Sequence, residues 1–326
     1  MIPPIGKIND TVFIQLLYDY SNFAHGGVAV KRISLFLVLL VFSVIALGQS
    51  EFMIPMSTED FGLRGPVKSA KILYPENEMD LGVDEEFFLS GYSVLSFNEN
   101  GSLVSQIEYD KDGNEQSAIL FNYDANGKLL SVSGRENGVE ENVDEIKVEN
   151  GRIAGIVVED SEGDSNLIME YDEAGRLIAQ KISGMSEGQE IEMTISMKYD
   201  DNGNLIEESF GMMGMVMTKT VFEYNDKNQS IRELEYMYMF AEPGSEPEPI
   251  ESILEYNEMG DVVLRISDSA FGEEKEAVVY EYEYDSMGNY THKVGYYVMN
   301  AADLEKETWK ETATVEEEET REIEYY

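Results

Sequence analysis

Ile191-Glu192-Met193-Thr194-Ile195-Ser196-Met197-Lys198-Tyr199 runs directly into Asp200-Asp201-Asn202-Gly203-Asn204-Leu205, and the two halves of this stretch decide the fold. In the first half every second residue is apolar, the period of a strand with one buried and one wetted face. In the second half Asp200 stands where a type I turn favours a carboxylate that accepts from the backbone ahead of it. Gly203 follows three residues later, where a short hairpin loop takes a left-handed residue, often within a G1 bulge. Strand, Asp turn, Gly and strand together make one tight β-hairpin.

The phrase recurs. Tyr123-Asp124 with Gly127 and Leu129, and Tyr171-Asp172 with Gly175 and Leu177, are clear copies. Variants begin at Phe97, at Tyr109 (with Gly113), at Tyr256 (with Gly260) and at Tyr284-Asp285 (with Gly288), while 147–153 and 224–230 keep the rhythm and lose parts of the turn. Val278, Tyr280, Tyr282 and Tyr284 share a phase with Glu281 and Glu283 between them, and Leu234, Tyr236, Tyr238 and Phe240 form a less clean apolar face. The unit is roughly 26 residues with a half-period of about 13, which predicts roughly 16 to 20 strands in sequential antiparallel order. The fold class is therefore all-β: a long antiparallel meander of hairpin repeats that strand twist coils into a spiral, an open barrel or two packed layers. Residues 76–86, 135–144, 241–249 and 301–319 read as loops or irregular edges, and 321–326 as a closing strand.

Residues 33–47 are apolar except for Ser34 and Ser43, follow Lys31 and Arg32, and end in Ala46-Leu47-Gly48. That is a secretory signal with a small-x-small cleavage site, too short as a helix (about 22 Å) for a hydrocarbon core of about 30 Å. Residues 1–48 are read as a leader. Asp10 and Asp19 are out of place in a basic n-region, which points to a misassigned start with translation beginning near Val28 or Val30. Residues 49–326 are read as one β domain, periplasmic or extracellular after cleavage near Gly48, with no integral membrane span.

Asp and Glu number 65 against 23 Lys and Arg, a formal charge of −42. Such a field repels phosphate backbones and anionic headgroups, so nucleic acid and membrane surfaces are disfavoured partners. There is no cysteine, which removes disulfides, thiolate nucleophiles, cysteine-ligated metals and the acylated cysteine of a lipoprotein.

The Tyr-Asp pair, the Gly three residues after the Asp and the apolar residue two further on resemble the YD repeats of the RHS family. The match is good at 123, 171 and 199 and extends over 62–326, including the opening Gly62-Leu63-Arg64-Gly65-Pro66-Val67-Lys68-Ser69. The resemblance implies a coiled β-sheet; in the large toxins of that family such sheets form a shell around a cargo segment, and short secreted members have no established activity. This chain departs from the toxins, with no toxin module after the repeats, no self-cleaving aspartyl core and too few repeats for a closed shell.

Chemistry-bearing constellations are sparse. His292 is the one histidine of 49–326, and no nucleophile elbow accompanies it. Asp110-Lys111-Asp112-Gly113-Asn114 invites a calcium reading, but an EF-hand would need Gly and Glu where Glu115 and Phe121 stand. No metal, cofactor or catalytic residue is assigned. The tyrosines read as core packing with sugar stacking as the functional alternative, Trp309 as a speculative ligand contact, and Met212, Met213, Met215 and Met217 as the buried face of a strand. The function expected is a secreted, non-catalytic binding or structural module for an extracellular polymer, carbohydrate among them, or a partner protein, with exposed strand edges as one contact mode. The alternatives are a carbohydrate-active hydrolase using paired carboxylates, or a toxin-associated YD-repeat component.

Overall fold

The computed structural model describes residues 57–73, 91–136, 139–141, 146–158, 165–186, 189–238, 241, 245–269 and 274–326. The leader and 76–86 lie outside them. Nineteen strands follow one another among the described residues. The first ten are β1 (Val67–Leu73), β2 (Gly91–Phe97), β3 (Leu103–Asp110), β4 (Glu115–Tyr123), β5 (Leu129–Glu136), β6 (Val139–Glu141), β7 (Ile146–Glu149), β8 (Arg152–Val158), β9 (Ser165–Tyr171) and β10 (Leu177–Ser186). The rest are β11 (Gln189–Tyr199), β12 (Leu205–Met212), β13 (Met215–Tyr224), β14 (Ser230–Met237), β15 (Ile250–Tyr256), β16 (Val262–Asp268), β17 (Lys275–Tyr284), β18 (Tyr290–Val298) and β19 (Thr314–Tyr325).

Each strand pairs antiparallel with its neighbours in sequence from β1 to β6 and again from β7 to β19. β1 also pairs with β19, so the first and last strands are zipped together. β7 lies alongside β5, and no ladder joins them among the described residues. The meander is thus one sheet rolled into a nearly closed barrel, with its seam between β5–β6 and β7. Phe61, Val67, Ile72, Leu95, Phe121, Ile156, Leu167, Ile195 and Phe222 fill its interior.

The repeat phrase has a three-part physical meaning. The Tyr pairs with the apolar residue six positions on, across a ladder shift: Tyr123 with Leu129, Tyr171 with Leu177, Tyr199 with Leu205. Those leucines are buried. Between them the Asp carbonyl accepts from the Gly N–H, 3.0 Å at Asp124–Gly127 and 3.1 Å at Asp200–Gly203, and Gly203 sits at φ +93°. Finally, at five copies the Tyr hydroxyl donates to the backbone carbonyl of the residue two positions after the left-handed turn residue of the preceding copy. Tyr123 reaches Leu103 (2.8 Å), Tyr171 reaches Ile153 (2.8 Å), Tyr199 reaches Leu177 (2.9 Å), Tyr224 reaches Leu205 (2.7 Å) and Tyr256 reaches Ser230 (2.6 Å). The tyrosines both pack and latch one repeat to the next.

The degraded copies survive by local substitution. Asn228 takes φ +58° where other copies have Gly, a conformation Asn tolerates. In the 147–153 copy Asn150 and Gly151 are both left-handed between the pair Glu149 and Arg152, a two-residue type I′ hairpin.

The Tyr109–Gly113 turn joins β3 to β4 and, because successive turns of a meander alternate ends, lies opposite the other Asp-Gly turns, at the half-period of the two-strand unit. Three readings from the sequence need correction. On β14, Glu233 pairs with buried Phe222 and buried Ser252, so Glu233 and Glu235 face the interior, and Leu234 and Tyr236 face outward. The interior accepts these carboxylates because Arg265 reaches Glu233 at 2.9 Å. Residues 135–144 are not simply a loop, since β5 continues to Glu136 and β6 pairs back onto it. Likewise 301–319 contains two short 3-10 turns, Ala301–Glu305 and Trp309–Glu311, and then β19, which begins at Thr314. The Glu run can sit in that strand because Lys293 meets Glu317 (2.7 Å), His292 meets Glu318 (3.0 Å) and Arg321 meets Glu319. Around 241–249, Ala241 and 245–249 lie outside the strands, and 242–244 are beyond the described residues.

A Tyr199→Phe substitution keeps the packing and removes one latch. It should cost about 1 kcal/mol in urea unfolding, against no loss for Tyr236→Phe, whose ring lies on Lys219 outside the latch series.

Candidate binding cleft at the turn end

Antiparallel alternation gathers the turns that follow β2, β4, β7, β9, β11, β13, β15 and β17 at one end of the barrel. Most of these turns are capped in the same way. Asp124 Oδ1 accepts from the N–H groups of Asn126 (2.8 Å) and Lys128 (2.9 Å), and Asp200 Oδ1 from those of Asn202 (2.9 Å) and Asn204 (2.8 Å). The backbone hydrogen bond from Lys128 holds the Asp124 carboxyl below the usual range, and that from Arg176 does the same at Asp172. At Asp200 and Asp285 desolvation works upward, yet the hydrogen bonds together leave both carboxyls lowered. Burial acts on the latching phenols in the opposite direction to the caps, pushing Tyr123 and Tyr256 up to about 12.

The residue after each turn glycine leans over the next turn. The Lys128 chain lies 2.7 Å from where a Cβ on Gly151 would stand, and the Arg152 guanidinium 2.1 Å from the corresponding point on Gly175. Arg176 donates to the Asp200 carbonyl (3.2 Å) and Asn204 to the Asn228 side chain (3.3 Å). Glycine at 151 and 175 therefore serves twice, since its missing side chain makes room for the neighbouring cation. On the far side of the same rim the segment before β1 is strapped across: Arg64 N–H donates to Asn289 Oδ1 (2.6 Å), and its guanidinium reaches the Met259 carbonyl (2.8 Å) and Asp261 (3.2 Å).

Between the strap and the rim opens a cleft of about 660 Å³, lined by Tyr123, Tyr171, Tyr199 and Tyr224 together with Arg152, Arg176, Asn204, Asn228 and Asp60. Arg176 is neutralised by Asp172 (2.7 Å) and stacks 4.8 Å from the Tyr199 ring centre. Arg152 lies 5.7 Å from the Tyr171 ring centre. The tyrosines of the cleft are the repeat tyrosines; Arg152, Arg176, Asn204 and Asn228 were missed. Their signal was present, because Lys128, Arg152 and Arg176 each follow the glycine of three consecutive turns in a chain poor in cations.

Tyr109 and Gly113 lie at the other end, with Tyr109 stacked on Tyr92 at 4.9 Å. Tyr256, Gly260, Tyr284, Asp285 and Gly288 share the turn end but stand on its strapped side. Tyr284 donates to Asp261 (2.8 Å), and the Tyr325 hydroxyl meets Asp285. Trp309 is half-buried, edge-on to Tyr296 at 5.9 Å, and belongs to a segment packed on the outer face of β17 and β18. The methionine strip is corrected by the β12–β13 hairpin: Met213 and Met215 stand at its tip with 60% and 62% of their surface exposed. A two-residue turn places them there instead of on a buried face. His292 sits on the outside of β18 beside Glu318.

The interior also holds carboxylates. Glu108 is pushed up by burial, though Ser93 and Gln106 donate to it, and Glu235 is pushed up by burial with Arg265 opposing. The outer wall carries charged side chains at mid-strand, with exposed Ile168 and Ile253 among them. Glu192, Thr194, Ser196 and Lys198 alternate with the buried Ile195 and Met197 of β11. Charged pairs bridge neighbouring strands on that wall, Lys181–Glu170 at 2.5 Å, Lys198–Glu207 at 2.6 Å and Arg232–Glu223 at 2.8 Å. Each Lys or Arg placed at mid-bilayer would cost about 2–4 kcal/mol, so this wall suits water rather than acyl chains.

No family of known proteins matches the chain, and no curated protein does. Among solved structures, a porin-like protein from Bacteroides uniformis ATCC 8492 is 10% identical, with a TM-score of 0.41 over 83% of this chain and 98% of that one. TcdB2-TccC3-TEV is 10% identical, with a TM-score of 0.27 over 66% of this chain and 12% of that one. No helix among the described residues is long and apolar enough to cross a membrane.

The turn caps carry a pH signature. Their folded carboxyl values lie below the unfolded value of about 3.9, so their contribution is complete above that value and is lost as pH falls through the folded one. Asp124→Asn keeps the Oδ1 acceptor of the cap and removes the titration. Urea midpoints should differ from those of the unsubstituted protein by a constant amount at neutral pH, and the unsubstituted protein should lose ground to the variant below about pH 4.

Proposed function

We propose that this chain is a secreted, non-catalytic repeat protein of YD type whose barrel acts as a binding or structural module for an extracellular polymer, carbohydrate before a partner protein. The observation that carries the reading is the cleft at the turn end, where half-buried aromatic rings stand beside amides and guanidinium groups. Aromatic faces and short polar side chains suit the CH faces and hydroxyls of sugars. The water-facing outer wall supports action in the periplasm or outside the cell and argues against a lipid-embedded barrel. The sheet supports a scaffold role, since rolled closure pairs the first strand with the last and, among the described residues, leaves the β5–β6 and β7 sides of the seam as the edges open to strand addition.

A glycan-array and polysaccharide screen of the purified protein, at physiological and at high salt with product analysis of each hit, tests this. Saturable, salt-resistant binding without cleavage is expected. Cleavage would contradict the non-catalytic reading and direct attention to Glu233 and Glu235 in the interior.

A further inference from the structure

We infer that the turn-end cleft is a subsite for a pyranose carrying a single carboxylate, with Arg152 as the partner of that carboxylate. The inference rests on the binding-module reading and adds to it a site and a ligand class. The cations at the rim come from three successive turns, in a chain where acidic residues outnumber basic ones 65 to 23. They are not equivalent. Arg176 is held by the Asp172 carboxylate and the Asp200 carbonyl. Arg152 is fixed by the Tyr171 ring and by the space over Gly175, and among the described residues no carboxylate stands within ion-pair distance of it. A guanidinium that is positioned but not neutralised presents its planar fork to an incoming carboxylate, which it can bind through two parallel hydrogen bonds.

The rest of the cleft specifies what carries that carboxylate. A volume of about 660 Å³ is in the range of small-molecule sites. Asn204 spends both amide hydrogens within the protein, on Asp200 Oδ2 (2.9 Å) and Asn228 Oδ1 (3.3 Å), which fixes its carbonyl oxygen and the Asn228 amino group at the cleft as the acceptor and donor for sugar hydroxyls. The hydroxyls of Tyr123 and Tyr171 donate to the Leu103 and Ile153 carbonyls, which leaves their oxygens as acceptors for sugar hydroxyls. A purely aliphatic acid would leave these polar groups unmatched.

The global charge then selects among acidic sugars. A polyuronate or a phosphate polymer meets the repulsion of the whole −42 surface at every turn of its chain. A single carboxylate seated against Arg152 feels that guanidinium first, because salt screens charges more than about 8 Å away. The class that fits is therefore an oligosaccharide ending in one acidic sugar.

Titration calorimetry with a glucuronic-acid-ended disaccharide and with its glucose-ended counterpart tests the inference. The acidic sugar should bind about tenfold more tightly. Arg152→Gln should bring the affinity for the acidic sugar down to that for the neutral one, abolishing the preference, with the circular dichroism and the melting temperature unchanged, since the side chain is exposed. Lys310→Gln, on the outer wall beside Glu281, should retain the preference. Equal affinity for the two sugars, a preference that survives Arg152→Gln, or binding of neither would overturn the inference. Glycan binding elsewhere on the protein, independent of Arg152, would overturn the cleft assignment and leave the module reading standing, whereas cleavage of either disaccharide would overturn that reading itself.

Discussion

The pairing of β1 with β19 is the constraint on which the rest of the structure depends. From Val67 opposite Tyr325 to Leu73 opposite Thr320, this ladder converts an open ribbon of hairpins into a rolled sheet. Without it the first and last strands would each expose a row of unpaired backbone donors and acceptors. Side chains then fix where β19 sits. Glu319 and Arg321, 5% and 6% exposed, pair in the interior, Arg321 stacks 3.8 Å from the Tyr290 ring centre, and Tyr290 donates to Glu319 at 3.0 Å. Losing one member of a buried pair of this kind costs about 3–5 kcal/mol, so the network penalises any other register of the closing strand more than it adds to stability.

Closure and periodicity together create the cleft. A repeat of two strands brings the Asp-Gly turns to one end, and rolling the sheet bends that row into a rim. Each residue after a turn glycine can then reach the following turn, as Lys128, Arg152 and Arg176 do. The seam between β5 and β7 falls between the turns that carry Lys128 and Arg152, so the cations meet across the place where the hydrogen-bond ladder is interrupted. The binding surface is a consequence of the same spacing that makes the fold.

Much of the architecture was legible because turn chemistry is local. Asp200 and Gly203 announce their hairpin from residue type alone, and the alternation around Ile195 and Met197 assigns the two faces of β11. The phase of β14 was not legible, since Leu234 and Tyr236 look like core until Arg265, from a different hairpin, is seen to neutralise Glu233. The run Glu316 to Glu319 looked like a loop for the same reason: Lys293 and Arg321, which make it tolerable in a strand, are tertiary neighbours. Tyr199 could be placed on the inner face, but its latch to the Leu177 carbonyl depends on how successive repeats stack. Arg152 was hidden as an ordinary polar residue after a degraded turn, and its significance appears only when the turns are brought side by side.

The absence of cysteine allows a direct test of the closure. Lys71 and Glu322 are cross-strand partners on the outer wall, with their charged ends 3.4 Å apart. A disulfide requires Cα atoms within about 7 Å, which adjacent strands satisfy and strands of an open ribbon do not. Lys71→Cys/Glu322→Cys should therefore form an intramolecular disulfide under mild oxidation at low protein concentration, while Lys71→Cys/Glu318→Cys, displaced along the same strand, should not. A free thiol pair in the first variant, or equal crosslinking in both, would contradict the pairing of the first strand with the last.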